Sequence, residues 1–244
     1  PVNNGGSPII SYTVTSNVGG FTATAGTPNI TVTGLTNGTA YTFTVTATNA
    51  IGTSVSSGAS NSVTPATVAD SPTNVTAVAG NGQATISFTP SVSNGGSTIT
   101  SYTVTSNVGG FTATGGTSPI TVTGLTNGTT YTFTVVANNA VGASVISSTS
   151  NAVTPATVPN APTGVTAVAG NGSATISFTP PVNDGGAPIT SYTVTSNVGG
   201  FTATGGTSPI TITGLTNGTT YTFTVTATNS VGTSTSSGTS NSVV

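Results

Sequence analysis

The chain has no lysine, arginine, histidine, glutamate, cysteine, methionine or tryptophan, and its only carboxylate side chains are Asp70 and Asp184. Each absence closes a class of function. General acid–base catalysis wants a histidine or a tuned pair of carboxylates. A nucleophilic hydroxyl wants a histidine or lysine base beside it. Zinc sites are built from cysteine and histidine, and calcium sites gather several carboxylates around one point. Asp70 precedes Ser71-Pro72 and Asp184 sits in Asn183-Asp184-Gly185-Gly186, compositions of a linker and of a turn. No catalytic residue, metal ligand or cofactor site is therefore expected. Neutralising nucleic-acid phosphates requires cations, which excludes that partner. No apolar run approaches the ~20 residues of a membrane span. Without cysteine there are no disulfide staples, and without lysine no isopeptide cross-links.

What is present is repetition. Ser-Tyr-Thr-Val-Thr-Ser-Asn-Val-Gly-Gly-Phe-Thr-Ala-Thr begins at Ser11, Ser101 and Ser191, a period of 90 residues. From Ser101 to Val135 and from Ser191 to Val225 the only difference is Val122 against Ile212. That period is too long for a solenoid unit and suits one small domain. Copying a whole domain nearly verbatim serves length, spacing or valency better than a single chemical event.

Within a copy the chain reads as short strands punctuated by turns. Tyr131-Thr-Phe-Thr-Val-Val-Ala137, Ser101-Tyr-Thr-Val-Thr105, Ala84-Thr-Ile-Ser-Phe88 and Pro119-Ile-Thr-Val-Thr123 alternate with period two, the mark of a strand with one buried face. Asn81-Gly82, Asn94-Gly95 and Asn127-Gly128 supply the positive φ of tight connections. No stretch carries a helical period. The class is all-β, and turn signals at this density indicate a sandwich. Seven strands are expected in the middle copy, starting near Val75 (A), Ala84 (B), Ile99 (C), Phe111 (C′), Ile120 (E), Tyr131 (F) and Asn151 (G).

Gly124-Leu125-Thr-Asn-Gly128-Thr-Thr-Tyr131-Thr-Phe-Thr-Val resembles the E–F corner of fibronectin type III domains, with a leucine six residues before a corner tyrosine. Leu35 with Tyr41 and Leu215 with Tyr221 repeat it. Ala161-Pro162-Thr-Gly-Val165-Thr-Ala-Val is similar to the family's A strand, and Ser191-Tyr192-Thr-Val to its C strand. Phe88 and Phe178 stand where the family usually has a B-strand tryptophan, and either ring can still fill the space between two sheets. The resemblance implies tandem seven-stranded, fibronectin type III-like (Ig-like) sandwiches, in the threonine-, serine- and glycine-rich style of bacterial surface and secreted proteins. Residues 71–155 and 161–244 each hold a full set of strands, while residues 1–64 form a partial domain without A and B. Tyr12, Val14, Tyr41, Phe43 and Val45 would then have little to pack against, so either the array continues beyond this segment or a neighbour supplies the missing strands. The links at Pro65–Pro72 and Pro155–Pro162 have the composition of extended, semi-rigid spacers.

Phe21, Phe111 and Phe201 follow Val-Gly-Gly at the start of C′ in every copy. They either pack beneath the C–C′ turn or form a repeated surface contact for a filament neighbour or a sugar. Outward-facing threonines and the Asn-x-Ser/Thr sequons read first as strand surface and turn residues. The function expected is that of a non-catalytic extracellular or cell-surface protein forming a rod, stalk or filament. Its expected partners are neighbouring copies, by self-association or in a head-to-tail array, and polysaccharide. The alternatives are a spacer array of a secreted glycan-degrading enzyme and a repeated weak polysaccharide binder. With only two carboxylates and no cation, the chain offers protons and salt almost nothing to act on. The unfolding midpoint should therefore hold steady from about pH 4 to about pH 9, and across salt concentrations; a strong drift in thermal melts would contradict this.

Overall fold

The structure, a computed structural model, describes all 244 residues and is β throughout. The first copy contributes β1 (Ile9–Ser16), β2 (Thr22–Ala25) and β3 (Phe43–Asn49). The middle copy contributes β4 (Thr73–Gly80), β5 (Gln83–Thr89), β6 (Ser101–Ser106), β7 (Thr112–Gly115), β8 (Ile120–Thr123) and β9 (Phe133–Asn138). The third contributes β10 (Thr163–Gly170), β11 (Ser173–Thr179), β12 (Ser191–Ser196), β13 (Thr202–Gly205), β14 (Ile210–Thr213) and β15 (Phe223–Thr228). These pair into five three-stranded sheets, ordered β2-β1-β3, β4-β5-β8, β7-β6-β9, β10-β11-β14 and β13-β12-β15. Backbone contacts group the chain into two compact units. One is Pro1–Thr73 with Thr89–Thr103 and Val135–Ser147; the other is Asn74–Phe88 with Val104–Thr134 and Ser148–Val244.

The third copy shows why the alternating pattern folds as it does. Its inward positions meet in one core: Ala174, Ile176 and Phe178 from β11, Tyr192 and Val194 from β12, Ile210 and Ile212 from β14, and Phe223, Val225 and Ala227 from β15. Threonines fill the alternate positions and form cross-strand pairs, Thr193 with Thr204 and Thr195 with Thr224 in register. Phe178, in the expected tryptophan place, lies 4.8 Å from the Tyr192 ring. Tyr221 closes the corner, its phenol oxygen accepting the Thr216 amide at 3.2 Å.

The first copy repeats these sequences without the A and B strands, and burial changes accordingly. Tyr12, Val14, Phe43 and Val45 are half-buried, where Tyr192, Val194, Phe223 and Val225 are buried. Ile30-Thr-Val-Thr33 forms no strand although Ile120–Thr123 and Ile210–Thr213 do. Strand E pairs with B in the complete copies, and without B it has no ladder to join. Tyr41 departs from expectation. It is only 1% exposed, because its own corner packs it: Phe21 meets it edge-on at 6.1 Å, Phe43 stacks at 6.3 Å and Thr36 N donates to its hydroxyl.

Strand G also differs from expectation. The segment runs beside β15 but contributes only an isolated bridge at each end, Thr228 with Thr233 and Tyr221 with Val243. Between them stand Ser234, Ser237 and Ser240, spaced by three. Their amides donate to the carbonyls of Ala227, Val225 and Phe223 at 2.8–2.9 Å. The amides of those same β15 residues donate to the serine hydroxyls at 2.9–3.0 Å. Each hydroxyl passes its proton on to the next residue's carbonyl, at Thr235, Gly238 and Asn241. Three residues on one side thus oppose two on the other, a bulge repeated in series, with a hydroxyl inserted where a strand would offer a carbonyl. Ser54, Ser57 and Ser60, and Ser144, Ser147 and Ser150, do the same. One residue on, the Asn241 side chain mimics a strand, accepting from Ala167 N at 2.9 Å and donating to Ala167 O at 3.0 Å, which ties the G segment to β10. Asn151 and Ala77 repeat this clasp.

Replacing Ser237 by alanine should strand a buried Val225 amide and cost about 1–3 kcal/mol in denaturant unfolding of the third copy. The matching Ser57→Ala change, where the bond is exposed, should cost roughly 0.5 kcal/mol or less, because water can replace the hydroxyl. Burial also pushes the Tyr192 phenol above its ordinary value of 10.0. A raised folded value makes ionisation favour the unfolded chain. The Tyr192 contribution is intact below the ordinary value and is lost as pH rises through the folded one, so alkaline melts should fall only beyond about pH 10.

Candidate functional site

The two interdomain links are the most built features of the molecule, and neither relies on proline stiffness alone. In the first, the E–F corner amide Gly38 N donates to Pro65 O at 2.9 Å. Two residues on, Thr67 N donates to Gly95 O at 2.8 Å, and Asp70 N donates to Ser93 O at 3.0 Å. The linker is thus bonded backward to the preceding corner and forward to the following B–C turn. In the second link Gly128 N meets Pro155 O at 2.9 Å, Thr157 N meets Gly185 O at 2.8 Å and Asn160 N meets Asn183 O at 3.0 Å.

The corner and the B–C turn also touch directly, backbone to backbone. The Cα of Gly96 lies 3.1 Å from where a Cβ on Gly38 would stand, and that of Gly186 lies 3.2 Å from the same point on Gly128. A Cβ on Gly96 would overlap Gly38 N and the Asn37 carbonyl carbon, and one on Gly186 would overlap Gly128 N and its neighbour. Both turn glycines adopt positive φ, 83° and 87°, so only glycine satisfies the conformation and the close approach together.

One asparagine locks each link. Asn139 Nδ2 donates to the linker carbonyl Thr67 O at 2.8 Å and to Asn94 O in the B–C turn at 2.9 Å. Its Oδ1 accepts from Val141 N and Gly142 N in the F–G turn. Asn229 repeats the arrangement on Thr157 O at 2.7 Å, Asp184 O at 2.8 Å, Val231 N and Gly232 N. Asn139 and Asn229 are 8% and 4% exposed. Asn49 in the first copy keeps the F–G turn contacts with Ile51 N and Gly52 N and the B–C turn contact, donating to Asn4 O at 2.8 Å. The signal was legible as Asn-x-x-Gly at Asn49, Asn139 and Asn229, but nothing in one sequence says which segment such an amide reaches.

Phe21, Phe111 and Phe201 lie one to a copy, each half-buried. Each ring meets its own corner tyrosine edge-on, at 6.1, 6.2 and 6.4 Å, and Phe201 packs against the third core. Gly19, Gly109 and Gly199 lie directly over these rings. Asp184 caps its own turn, accepting from Gly186 N at 2.9 Å, beside a polar groove of about 560 Å³ lined by Thr126, Asn127, Thr129 and Asn183. No three metal-ligating side chains come together, and no helix is long and apolar enough to cross a membrane.

The family model for the fibronectin type III domain matches residues 1–63, 70–153 and 160–243. The chain belongs to the fibronectin type III family. Among curated proteins, chitinase A1 of Niallia circulans is 36% identical over 167 residues, 64% of this chain and 23% of that protein. A Kelch domain-containing protein of Saccharolobus solfataricus is 46% identical over 74 residues, 30% of this chain and 10% of that one. This fibronectin type III array therefore spans only a small part of either relative's length. Among solved structures, the chicken CNTN1 FN1-FN3 domains align over 99% of this chain and 90% of theirs at 18% identity, with a TM-score of 0.38.

Asn229→Ala removes the donor to Thr157 O and Asp184 O and the acceptor of Val231 N and Gly232 N at a site only 4% exposed, and should cost the third copy about 1–3 kcal/mol in denaturant unfolding. It should also raise amide hydrogen exchange at Thr157 and Gly128, beyond the rise at core amides of the third copy such as Val225. Unchanged exchange at both amides would show that the asparagine does not hold the linker.

Proposed function

We propose that this segment is a non-catalytic structural array, an extracellular rod or stalk of fibronectin type III domains that holds flanking parts of a longer protein at a set spacing. The observation that carries this reading is the bonded linker. Linker carbonyls and amides are consumed by the domains on both sides, and the same set of bonds recurs at both links to within 0.1 Å. A tether meant for flexibility would leave those groups to water. An extracellular setting is supported by the threonine-, serine- and glycine-rich style of the repeats, which resembles that of bacterial surface and secreted proteins. Association follows the chain, each domain seated on the next.

Lateral self-association, which a charge-poor surface invites, is opposed by the sheet edges. Strands C′ and E are four residues each, and the G segment offers no regular ladder to a neighbour. Similarity to chitinase A1 favours one more specific version, a spacer array within a secreted glycan-degrading enzyme. A repeated weak contact with polysaccharide would use the exposed edges of Phe21, Phe111 and Phe201 together with Val18, Val108 and Val198 at the adjoining turn tips, each 44% exposed.

Excising residues 66–155 tests the spacer reading cleanly, because Pro65 then joins Ala156-Thr157-Val158, the sequence that already follows it. In the full protein the shortened array should fold with an unchanged melt. It should bring the flanking parts closer by one domain while leaving any turnover on soluble substrate intact. Loss of turnover on soluble substrate would contradict the reading.

A further inference from the structure

In both complete sandwiches one side chain ties the first strand to the last. In the middle copy Ala77 N, in β4, donates to Asn151 Oδ1 at 2.9 Å, and Asn151 Nδ2 donates to Ala77 O at 3.0 Å. In the third copy Asn241 meets Ala167 of β10 with the same two bonds at the same two lengths. The tie crosses between sheets, since β4 and β10 pair within the A–B–E sheets while the G segment runs beside strand F. It is anchored on the far side too. The backbone carbonyl of Asn151 accepts the Ser150 hydroxyl at 2.7 Å, and that hydroxyl accepts from Phe133 N at 3.0 Å. Strand A, the G segment and strand F are thereby joined through two consecutive residues. The copies differ elsewhere along G, where Val145, Ile146, Ser148 and Ala152 stand against Thr235, Ser236, Gly238 and Ser242. Ser150-Asn151 and Ser240-Asn241 are identical, as is Val-Thr-Ala-Val-Ala-Gly on the facing strand.

The course of the chain decides what this tie resists. In the third copy the linker enters beside the B–C and F–G turns, where Thr157 N donates to Gly185 O and Asn229 Nδ2 donates to Thr157 O. At the opposite end Gly172 N of the A–B turn donates to Asn217 Oδ1 of the E–F corner, and Tyr221 pairs with Val243 near the close of G. Strand A therefore runs from the entry end to the corner end, and so does the G segment. The two are parallel. The middle copy leaves by the same route, with Gly128 N of its corner holding Pro155 O just past Val153. Tension along the array draws the start of A one way and the end of G the other, which shears one past the other. The N–H and C=O of a strand residue point sideways from the strand axis. Both bonds of the asparagine thus lie across the motion and stretch together instead of peeling in turn.

We propose that Asn151 and Asn241 are mechanical clamps that hold each complete sandwich shut against tension along the array. The proposal deepens the spacer reading and rests on it for its purpose. Strand A cannot slide past G until both bonds of one amide break at once. Forced unfolding is governed by the unfolding rate, so the clamp shows itself as a rate under load. An ordinary stabilising contact slows unfolding whichever way the domain is pulled, whereas a clamp resists one direction.

The test uses the whole chain, with handles on introduced cysteine pairs in a protein that has no cysteine of its own. Ala66→Cys with Ala156→Cys loads the middle copy end to end. Ser87→Cys with Thr112→Cys, both exposed and on strands B and C′, pulls its two sheets apart instead. Asn151→Ala should speed unfolding at constant end-to-end load roughly tenfold, the factor two neutral hydrogen bonds supply, and less than about threefold across the sheets. Asn151→Asp keeps an acceptor for Ala77 N but turns a carboxylate toward Ala77 O. Under end-to-end load it should be at least as fast as Asn151→Ala near neutral pH. It should recover most of the parent resistance near about pH 3, where the protonated acid donates again. Equal acceleration by Asn151→Ala in both directions of pull would make the asparagine an ordinary stabilising residue and overturn the proposal. So would an end-to-end rate that Asn151→Ala leaves unchanged, or an Asn151→Asp rate that is the same in acid and at neutral pH. Failure of the spacer reading reads out elsewhere, in the distance between domains, and leaves these rates as predicted.

Discussion

Buried backbone amides must find acceptors, and in this protein the charged side chains that could provide them number two, of which Asp184 serves only its own turn. Serine hydroxyls and asparagine amides do so instead, and much of the architecture follows from where they stand. At the last edge of each sandwich, serines answer the inward amides of strand F, two residues apart, from a segment that advances three residues for each two. A fully extended run of three residues could span about 10 Å, while two strand residues cover roughly 6.6 Å, so the segment is necessarily contracted against its neighbour. The contraction is what makes room for a hydroxyl between amide and carbonyl. It also removes the regular outer ladder that a seventh strand would have presented.

That substitution changes how the absence of charge should be understood. Sheet proteins commonly keep edges apart with lysine, and a chain without lysine reads as unprotected. Here the edges are blunted by backbone geometry: four-residue strands at C′ and E, a serine-bonded segment at G, and an asparagine clasp joining that segment to strand A. The interdomain links use the same vocabulary. A single asparagine amide spends both donors on the linker and the B–C turn and its oxygen on the F–G turn, a neutral counterpart of the salt bridges that would otherwise fix such a joint. Neutral bonds of this kind are insensitive to ionic strength.

The alternating strands were legible in the sequence because burial has period two, and the third copy places Ile176, Val194, Ile212 and Val225 where that period puts them. The corner tyrosines and the aromatic at the usual tryptophan position were legible through the resemblance to fibronectin type III domains. The G segment was not. Serine at period three belongs to neither helix nor strand, and it acquires meaning only when strand F lies alongside. Nor could sequence separate Ile30–Thr33 from its copies, since the same residues are a strand beside B and irregular without it. Tyr41 erred in the other direction: a corner packed by residues within reach of its own loop needs no second sheet. The asparagines of the links were visible as a motif, but their targets lie 45 and 72 residues away in the chain.

Seating of the domains on their links is the central claim, and a chain without native cysteine allows it to be measured with paired spin labels on an otherwise silent background. Thr112 and Thr202 occupy equivalent exposed places at the start of C′ in the middle and third copies. Labels at Thr112→Cys and Thr202→Cys should give a single narrow distance distribution by pulsed electron resonance. The distribution should broaden when Gly186→Val unseats the turn. A broad distribution in the parent, unchanged by that substitution, would mean that the links are flexible tethers and would contradict the account.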